Sequence, residues 1–448
     1  MSVFFQAAVF MGLYTEQKDV RAMFESLKGK RLLVIGSDNS DMEIIRSAKE
    51  HGIYTIAVDG VPKSLKTLAK NLADEAWDID YRETETIAAK AREAGVEGVL
   101  AGYSEMRVLA AGRIAEVMNL PFYTTEEIIN LTRNKRSFKE TCTRYGVNVP
   151  AYFCLTHVPS ADEISSVVFP VIVKPTDAAG RKGLTVCRTQ EELLSAIDKG
   201  LHVSIAHEVI VEEYLTGTEF TALYTIVDKH PSLSLMKDKY LVEATKEACL
   251  SNFSIAPSAA LDRYIEQMNP SVCRLLTGIG VQHGVATFQG IYNRNGFYVF
   301  EVNYRIGDGN DHLLISRENG TNYMDMMLHY ALTGRPGITL DKDDPHFQHC
   351  CARLQIHLKP GTVGKMVFPA VGDLPGIVAV TQHKVPGMIV PEEITTGRRA
   401  LSFFIMTDSL KQMKKAVIET QRSIVIEDTE GNSMMYPLFD TSLLEEHV

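Results

Sequence analysis

The sequence lacks most of the short motifs that announce a chemistry. It has no Gly-x-Ser-x-Gly nucleophile turn, no Cys-x-x-Cys redox pair and no His-Glu-x-x-His zinc helix. No Gly-Lys-Ser/Thr tripeptide opens a helix, which excludes a Walker phosphate loop. A dinucleotide fingerprint needs three glycines for the turn, the pyrophosphate approach and the helix packing. Here Gly36 stands alone in GSDNSD, with Asp38 and Asp41 placed to repel a pyrophosphate. That weighs against a nicotinamide site and favours a purely structural layer. No apolar run is long enough to cross a bilayer. There is also no repeat of 20–50 residues and no low-complexity stretch.

Charge and cysteine usage exclude more. The formal net charge of -10 argues against a general binder of nucleic acid or membrane surfaces, while leaving room for a locally basic pocket. The seven cysteines are odd in number, scattered and mostly inside apolar runs, as expected of reduced thiols in a cytoplasmic protein. His346-x-x-His349-Cys350-Cys351 has no second ligand pair at zinc-finger spacing, so core or loop residues are the better reading. Val3 to Tyr14 is apolar, but no basic residues precede it and no small-residue cleavage site follows. It reads as an amphipathic helix docked on the body or on a partner subunit.

What is present is ordinary globular composition, 448 residues with 45% hydrophobic and 23% charged, enough for about three domains. Lys30 to Gly36 predicts a buried strand, Asp41 to His51 a helix and Ile53 to Asp59 a second strand. Helices at Thr84–Ala94 and Met106–Met118 flank a strand at Gly98–Ala101, giving a small doubly wound domain. Thr124 or Thr125 is the cap candidate of the next helix, and the helix after it, Asn134 to Tyr145, contains Lys135 near its start. Phe169 to Lys174 is a strand that delivers Lys174 into a run of small, glycine and basic residues, Asp177 to Gly183. Such a run describes either an exposed turn or a flap over an anion. Ile210 to Leu215 and Glu219 to Ile226 read as strands, Lys237 to Leu261 gives no clear pattern, and Leu261 to Gly280 reads as helical. Beyond Leu340 short strands recur with one helix at Ser409–Arg422.

The most informative stretch is Thr287 to Arg305. Two runs rich in aromatic and β-branched residues flank Asn293-Arg294-Asn295-Gly296, which predicts a β-hairpin. A three-residue loop, Arg294-Asn295-Gly296, sets Gln289 opposite Glu301. Alternation then sends Glu301 and Asn303 to one face and Phe300 and Val302 to the other. One face therefore gathers a carboxylate, two amide oxygens and Arg305. Hard oxygens in that pattern suit Mg²⁺ bridging phosphates, although a solvated polar edge fits the same residues.

In order, the chain offers Lys135, Lys174 in FPVIVKP, the glycine flap, VEEYLTGTEF and FEVNYR. This order resembles the ATP-grasp superfamily, most nearly the group containing biotin carboxylase, the carbamoyl-phosphate synthetase large subunit and the L-amino acid ligases. The resemblance implies a mixed α/β and α+β fold: an N-terminal extension (1–28), a Rossmann-like pre-domain (29–120), linker helices with a small ATP-grasp lobe (121–205), a large lobe (206–337) and a β-rich C-terminal domain (338–448). It implies that Lys135 and Lys174 contact ATP phosphates. Glu212 and the Leu215 backbone meet the adenine, and Glu219 holds the ribose. Ala179, Gly180, Arg181, Lys182 and Gly183 close over the phosphates. By the same resemblance Gln289, Glu301 and Asn303 bind Mg²⁺ or Mn²⁺, and Arg305 stabilises an acyl phosphate. Asp308 and Asp311 then face the substrate, and His312 is structural.

Many members of the superfamily carry Glu where Gln289 stands. The arginine-rich run that follows an Arg-Asp-Cys in biotin carboxylase has no counterpart between Lys237 and Pro257. The expected activity is thus an ADP-forming carboxylate–amine ligase acting on amino acids or other small carboxylates, through an acyl phosphate. The alternatives are a carboxyphosphate-using carboxylase, a carbamoyl-phosphate synthetase-like enzyme, and a nucleotide-binding protein without turnover. Expected partners are small molecules, with no nucleic acid and no membrane, and a homodimer is compatible with the family.

Overall fold

A computed structural model describes residues 24–38, 40–62, 67–178, 182–241, 250–393 and 395–447. The segment Val3 to Tyr14, for which a docked helix is expected, lies outside the described residues, as do Ala179, Gly180 and Arg181 of the flap. The chain divides into two compact units.

The first unit comprises residues up to Ala101 together with Ala110–Phe122 and Met324–Gly337. Its centre is a parallel sheet of β1 (Arg31–Ile35), β2 (Tyr54–Val58), β3 (Glu75–Trp77) and β4 (Gly98–Leu100), in the order β3-β2-β1-β4. The central strands are buried almost throughout, as a parallel sheet covered on both faces requires. Three of these strands follow the sequence expectation. β3 does not, because three residues, EAW, show no alternation to detect. At the end of β1 the Asp41 carboxylate accepts from the Asp38 backbone N–H (2.8 Å) and is fully buried. A carboxylate in that position disfavours a phosphate there, in line with the structural reading of this layer.

The second unit holds Gly102–Leu109, Tyr123–Tyr323 and Ile338–Val448. It contains a four-stranded antiparallel sheet, β5 (Tyr152–Leu155), β6 (Val171–Pro175), β7 (Thr185–Cys187) and β8 (Val209–Glu213), in the order β5-β8-β6-β7. Val171, Val173, Val209 and Val211 pack against Leu193, Ala196 and Ile197 of the helix Gln190–Val203. Alternation then sends Lys174 and Glu212 to the opposite face.

The larger sheet has eight strands. They are β9 (Thr218–Val227), β10 (His230–Leu241), β11 (Ser251–Ala256), β12 (Gly284–Asn293), β13 (Gly296–Tyr304), β14 (Cys350–His357), β16 (Ile377–Gln382) and β18 (Arg399–Thr407), in the order β13-β12-β9-β10-β11-β14-β18-β16. The remaining strands, β15 (Gly361–Val367), β17 (Ile389–Val390) and β19 (Val425–Asp428), form a small sheet of their own. The C-terminal strands expected as a separate β-rich region therefore continue the large-lobe sheet, because β11 offers β14 an edge to pair with. Within the large sheet, Phe220 and Tyr224 lie against Tyr264, with the Tyr224 and Tyr264 hydroxyls 3.0 Å apart. The face opposite Phe220 and Tyr224 carries Glu219, Thr221, Lys237, Lys239 and Gln289, by cross-strand register. The stretch expected to be helical from Leu261 to Gly280 is two helices, Leu261–Gln267 and Asn269–Gly278, divided at Met268 with Pro270 in the first turn of the second.

Candidate active site

The hairpin forms as expected, by a different route. The turn is Arg294-Asn295, with Asn293 already paired to Gly296. Gly296 adopts φ +139°, a conformation open to glycine. A register shift between Gln289 and Gly290 then inserts one extra residue on β13, and this bulge restores Gln289 opposite Glu301. The bulge corrects one expectation. Phe300 does not turn into the core with Val302; it is half-buried and its ring lies 5.6 Å from Lys174 Nζ. Two neighbours of a bulge share a face, so Phe300 accompanies Glu301.

On the polar face, β10 contributes a residue that sequence reasoning missed. Lys239 Nζ donates to Glu219 Oε2 at 3.2 Å and to Gln289 Oε1 at 3.1 Å. Its strand reads Lys237-Asp238-Lys239, three consecutive charges that hide the alternation. Asp238, on the opposite face, accepts from Ser258 Oγ (2.6 Å) and from the Ala259 N–H (3.0 Å).

The smaller sheet brings its lysines together. Asn134 caps the helix Lys135–Tyr145 through the Ser137 N–H, and Thr125 caps the preceding helix through Ile128. The Lys135 backbone N–H donates to the Thr176 carbonyl (3.0 Å) and its Nζ to the Ala178 carbonyl (2.6 Å). Burial pushes its ammonium down, against the pull of Glu301. One turn on, Lys139 is fully buried with Nζ 3.5 Å from Glu212 Oε1, and Lys174 Nζ lies 2.9 Å from Glu212 Oε2. Burial works to raise the Glu212 carboxyl, but Lys174 and Lys139 outweigh it and hold the group below its ordinary range. The Glu212 side chain is therefore committed to two lysines, and its backbone lies in the ladder between β5 and β6. Leu215 is half-buried in the connection that follows. Lys182 is exposed. Gly183 has φ +73°, and a Cβ there would stand 2.7 Å from Pro175 Cγ, so only glycine fits.

Beyond β13 the chain crosses the polar face. Arg305 Nε donates to Glu105 Oε1 (2.7 Å), and its Nη2 donates to Asn303 Oδ1 (3.2 Å). Asp308 accepts from Arg399 Nη2 on β18 (3.0 Å), and Asp311 is ion-paired with buried Lys237. Asp311 is itself buried, so it serves as the counter-ion of Lys237. The His312 ring packs edge-on to Tyr323, 5.4 Å between centroids. Arg353, Arg399 and Lys237 are further residues that the sequence did not disclose. Their signal is an arginine or lysine inside an otherwise apolar strand, as in CCARLQIH.

With this geometry in place, residues 134–336 match the family model described as the carbamoyl-phosphate synthase L chain, ATP binding domain. This region is thus similar to an ATP-binding domain of that family. The carbamoyl phosphate synthase large chain of Rubrobacter xylanophilus is 25% identical over 303 residues, which is 64% of this chain and 28% of that one. The chain thus spans little more than a quarter of that relative. Biotin carboxylase 1 of Bacillus subtilis is 24% identical over 463 residues, covering 93% of this chain and 98% of that one. Among solved structures, the L-amino acid ligase from Bacillus licheniformis superposes with a TM-score of 0.73 at 17% identity, over 90% of this chain and 99% of that one. The biotin carboxylase domain of the Hydrogenobacter thermophilus 2-oxoglutarate carboxylase, solved with MgADP and bicarbonate, does so with 0.72 at 19%, over 93% and 97%. These structures share the fold with this chain.

The cofactors that accompany an ATP-grasp domain are ATP and Mg²⁺, and the residues present fit both. Lys135, Lys139 and Lys174 surround one carboxylate, Glu212, which leaves positive charge for phosphate oxygens. Gln289 Oε1 and Asn303 Oδ1 each face a cationic side chain, the environment of oxygens that accept a positive charge. Among the described residues no group of three or more His, Cys, Asp or Glu could hold a metal. Glu301 is the one carboxylate of the expected metal set, so the ion needs phosphate oxygens to complete its shell. The described residues also contain no helix long and apolar enough to cross a membrane.

Proposed function

We propose that the protein is an ATP-dependent, ADP-forming carboxylate–amine ligase that acts through an acyl phosphate on amino acids or other small carboxylates. The observation that carries this reading is the polar face, where Lys239, Glu219, Gln289, Glu301 and Asn303 lie across β10, β9, β12 and β13, with Arg305 just past the end of β13. When bound, Mg-ATP supplies the transferable γ-phosphoryl group and neutralises its charge.

The chain's own residues do the rest. Lys135 and Lys174 hold phosphate oxygens, with Phe300 and Leu215 against the base and Glu219 at the ribose. Gln289, Glu301 and Asn303 hold the metal. A substrate carboxylate oxygen bonds to the γ-phosphorus as the bond to ADP breaks. Arg305, fixed by Glu105, faces the acyl phosphate so formed. The amine nitrogen then bonds to the acyl carbon, phosphate leaves with that oxygen, and the amine proton passes to solvent. The flap, including Ala179, Gly180, Arg181, Lys182 and Gly183, excludes water, because acyl phosphates hydrolyse. Asp308 lies toward the substrate.

Incubation with ATP, Mg²⁺ and pools of acids and amines tests this reading. It requires amine-dependent release of ADP and phosphate with an amide of matching mass. ADP binding with no stimulated turnover in any pool would leave the nucleotide-binding alternative.

A carboxyphosphate-using carboxylase is the second reading, favoured by the near end-to-end match to biotin carboxylase 1. Bicarbonate-dependent ADP release without an amine would support it. A carbamoyl-phosphate synthetase-like reaction is a third reading, in keeping with the match of residues 134–336 to the ATP-binding domain of that enzyme's large chain. Small-molecule partners, a homodimer and a cytoplasmic setting complete the proposal.

A further inference from the structure

Past Asp308, four cations stand among three carboxylates. Lys237 pairs with Asp311, Arg305 with Glu105, and Arg399 with Asp308. Among the described residues Arg353 makes no close ion pair of its own, although the charges of Asp311 and Asp308 act on it. It is 8% exposed, and among the described residues its one hydrogen bond is long, 3.4 Å from Nη1 to the Asp308 carbonyl. A guanidinium carries five donors, and a buried one left this bare is costly unless something else meets it.

The surroundings repeat the pattern. Arg353 Nε, Arg399 Nε, His357 Nδ1 and Ser254 Oγ are all buried without a hydrogen-bond partner, and Ser254 is in register with Arg353. Gln355, with its amide turned to suit its neighbours, accepts from Arg399 Nη1 at 3.0 Å and donates to the Ser251 carbonyl at 2.8 Å. That holds the Arg399 guanidinium in place. His357 is kept neutral by burial and by the two arginines, so it adds no charge of its own. Gly309 lets the backbone lie close by, since a Cβ there would meet Arg353 Nη1 at 3.2 Å and Asp311 Oδ2 at 2.4 Å. Asp308 is the accessible member, its side chain 40% exposed while that of Arg399 is 5% exposed.

We infer that Arg353 and Arg399 form a seat for a second anionic group of the substrate, separate from the carboxylate activated beside Arg305. The inference rests on the ligase reading and names its substrate class: a small acid with two anionic groups, a dicarboxylate or a phosphorylated carboxylate. The two charge sites lie on different strands. Arg305 follows β13, whereas Arg353 and Arg399 lie on β14 and β18, and Asp308 lies within electrostatic reach of all three arginines. A substrate with two anionic groups places one at Arg305 and the other at the seat, with Asp308 under the influence of both. Asp308 then acts as the counter-ion that holds the seat before the substrate arrives.

The test uses the full chain saturated with MgADP and chain-matched probes. Calorimetry compares butyrate with succinate and valerate with glutarate, and 3-phosphonopropionate separates a phosphoryl second group from a carboxyl one. The inference requires the dianions to bind at least tenfold more tightly than their monoanionic partners. Arg399→Gln and Arg353→Gln are to lose that preference, and Arg399→Lys is to keep part of it. MgADP affinity, measured first, reports on the fold and on the nucleotide site. Equal binding of mono- and dianions to the wild-type chain overturns the inference, and so does a preference that survives in both Gln variants. If the variants fail to bind MgADP, the wild-type comparison decides alone. Absence of MgADP binding by the wild-type chain instead sinks the ligase reading itself.

Discussion

Gln289 and Glu301 stand in register across the hairpin, with Lys239 Nζ 3.1 Å from the Gln289 amide oxygen. An amide ligates Mg²⁺ with one negative charge fewer than a carboxylate. The metal set then depends on nucleotide phosphates. Without nucleotide, the protein is expected to show no Mg²⁺ binding tighter than millimolar. Gln289→Glu is expected to lower the Mg²⁺ concentration giving half-maximal nucleotide binding by about fivefold, on the order of 1 kcal/mol of added charge interaction. Magnesium titrations with and without ADP measure both. Tight Mg²⁺ binding to the nucleotide-free chain would contradict this account of the metal set.

Glu301 is exposed and is the only carboxylate among the three expected metal ligands. Glu301→Gln keeps the shape and removes the charge, so kcat is expected to fall by more than tenfold with the fold intact. Steady-state ADP release, once a substrate pair is in hand, reads this directly. Unchanged turnover would remove Glu301 from the metal site.

The buried group of Lys139, Lys174 and Glu212 makes a stability prediction of a different kind. Removing one partner of a buried ion pair leaves an uncompensated charge, which typically costs about 3–5 kcal/mol. Glu212→Gln strands two lysines and is expected to destabilise the chain by about that amount. Lys139→Met removes a desolvated ammonium that makes no hydrogen bond and is expected to cost far less. Urea denaturation ranks the two variants, and the reverse order would mean that Lys139 supports the fold.

His357 gives a pH dependence. Burial depresses its pKa from 6.5 to about 4. Between those values the unfolded chain takes up a proton that the folded chain refuses, so stability is lost as pH falls from 6.5 toward 4. The full contribution is on the order of 3 kcal/mol. Denaturation at pH 6.5, 5.5 and 4.5 is expected to show this loss, and His357→Gln is expected to flatten it. The same slope in both proteins would place the acid sensitivity elsewhere.

Much of this was legible in the sequence, and the exceptions have physical causes. The hairpin register came through because the polar pair Gln289 and Glu301 had to share a face. The bulge that carries Phe300 into the site left no mark, since both routes around the turn restore the same pairing. β10 stayed unread where Lys237, Asp238 and Lys239 each find a partner on their own side, so the apolar alternation that marks a strand never appears. Arg353 and Arg399 were hidden by their neighbours, because an apolar strand in the centre of a sheet looks the same with one buried cation in it. Their meaning depends on Asp308, which is brought to them by a chain crossing that local pattern does not encode. The continuation of the large sheet into the C-terminal strands is also a tertiary fact, decided by which edge β11 leaves free.

The central claim is that a carboxylate oxygen attacks the γ-phosphate of ATP. Isotope transfer tests this most directly: a substrate acid labelled with ¹⁸O in its carboxylate is turned over with unlabelled ATP and amine, and the phosphate is examined by mass spectrometry. The account predicts one ¹⁸O per phosphate released, with ADP and amide formed in equal amounts. Unlabelled phosphate alongside a labelled amide, or AMP in place of ADP, would contradict it.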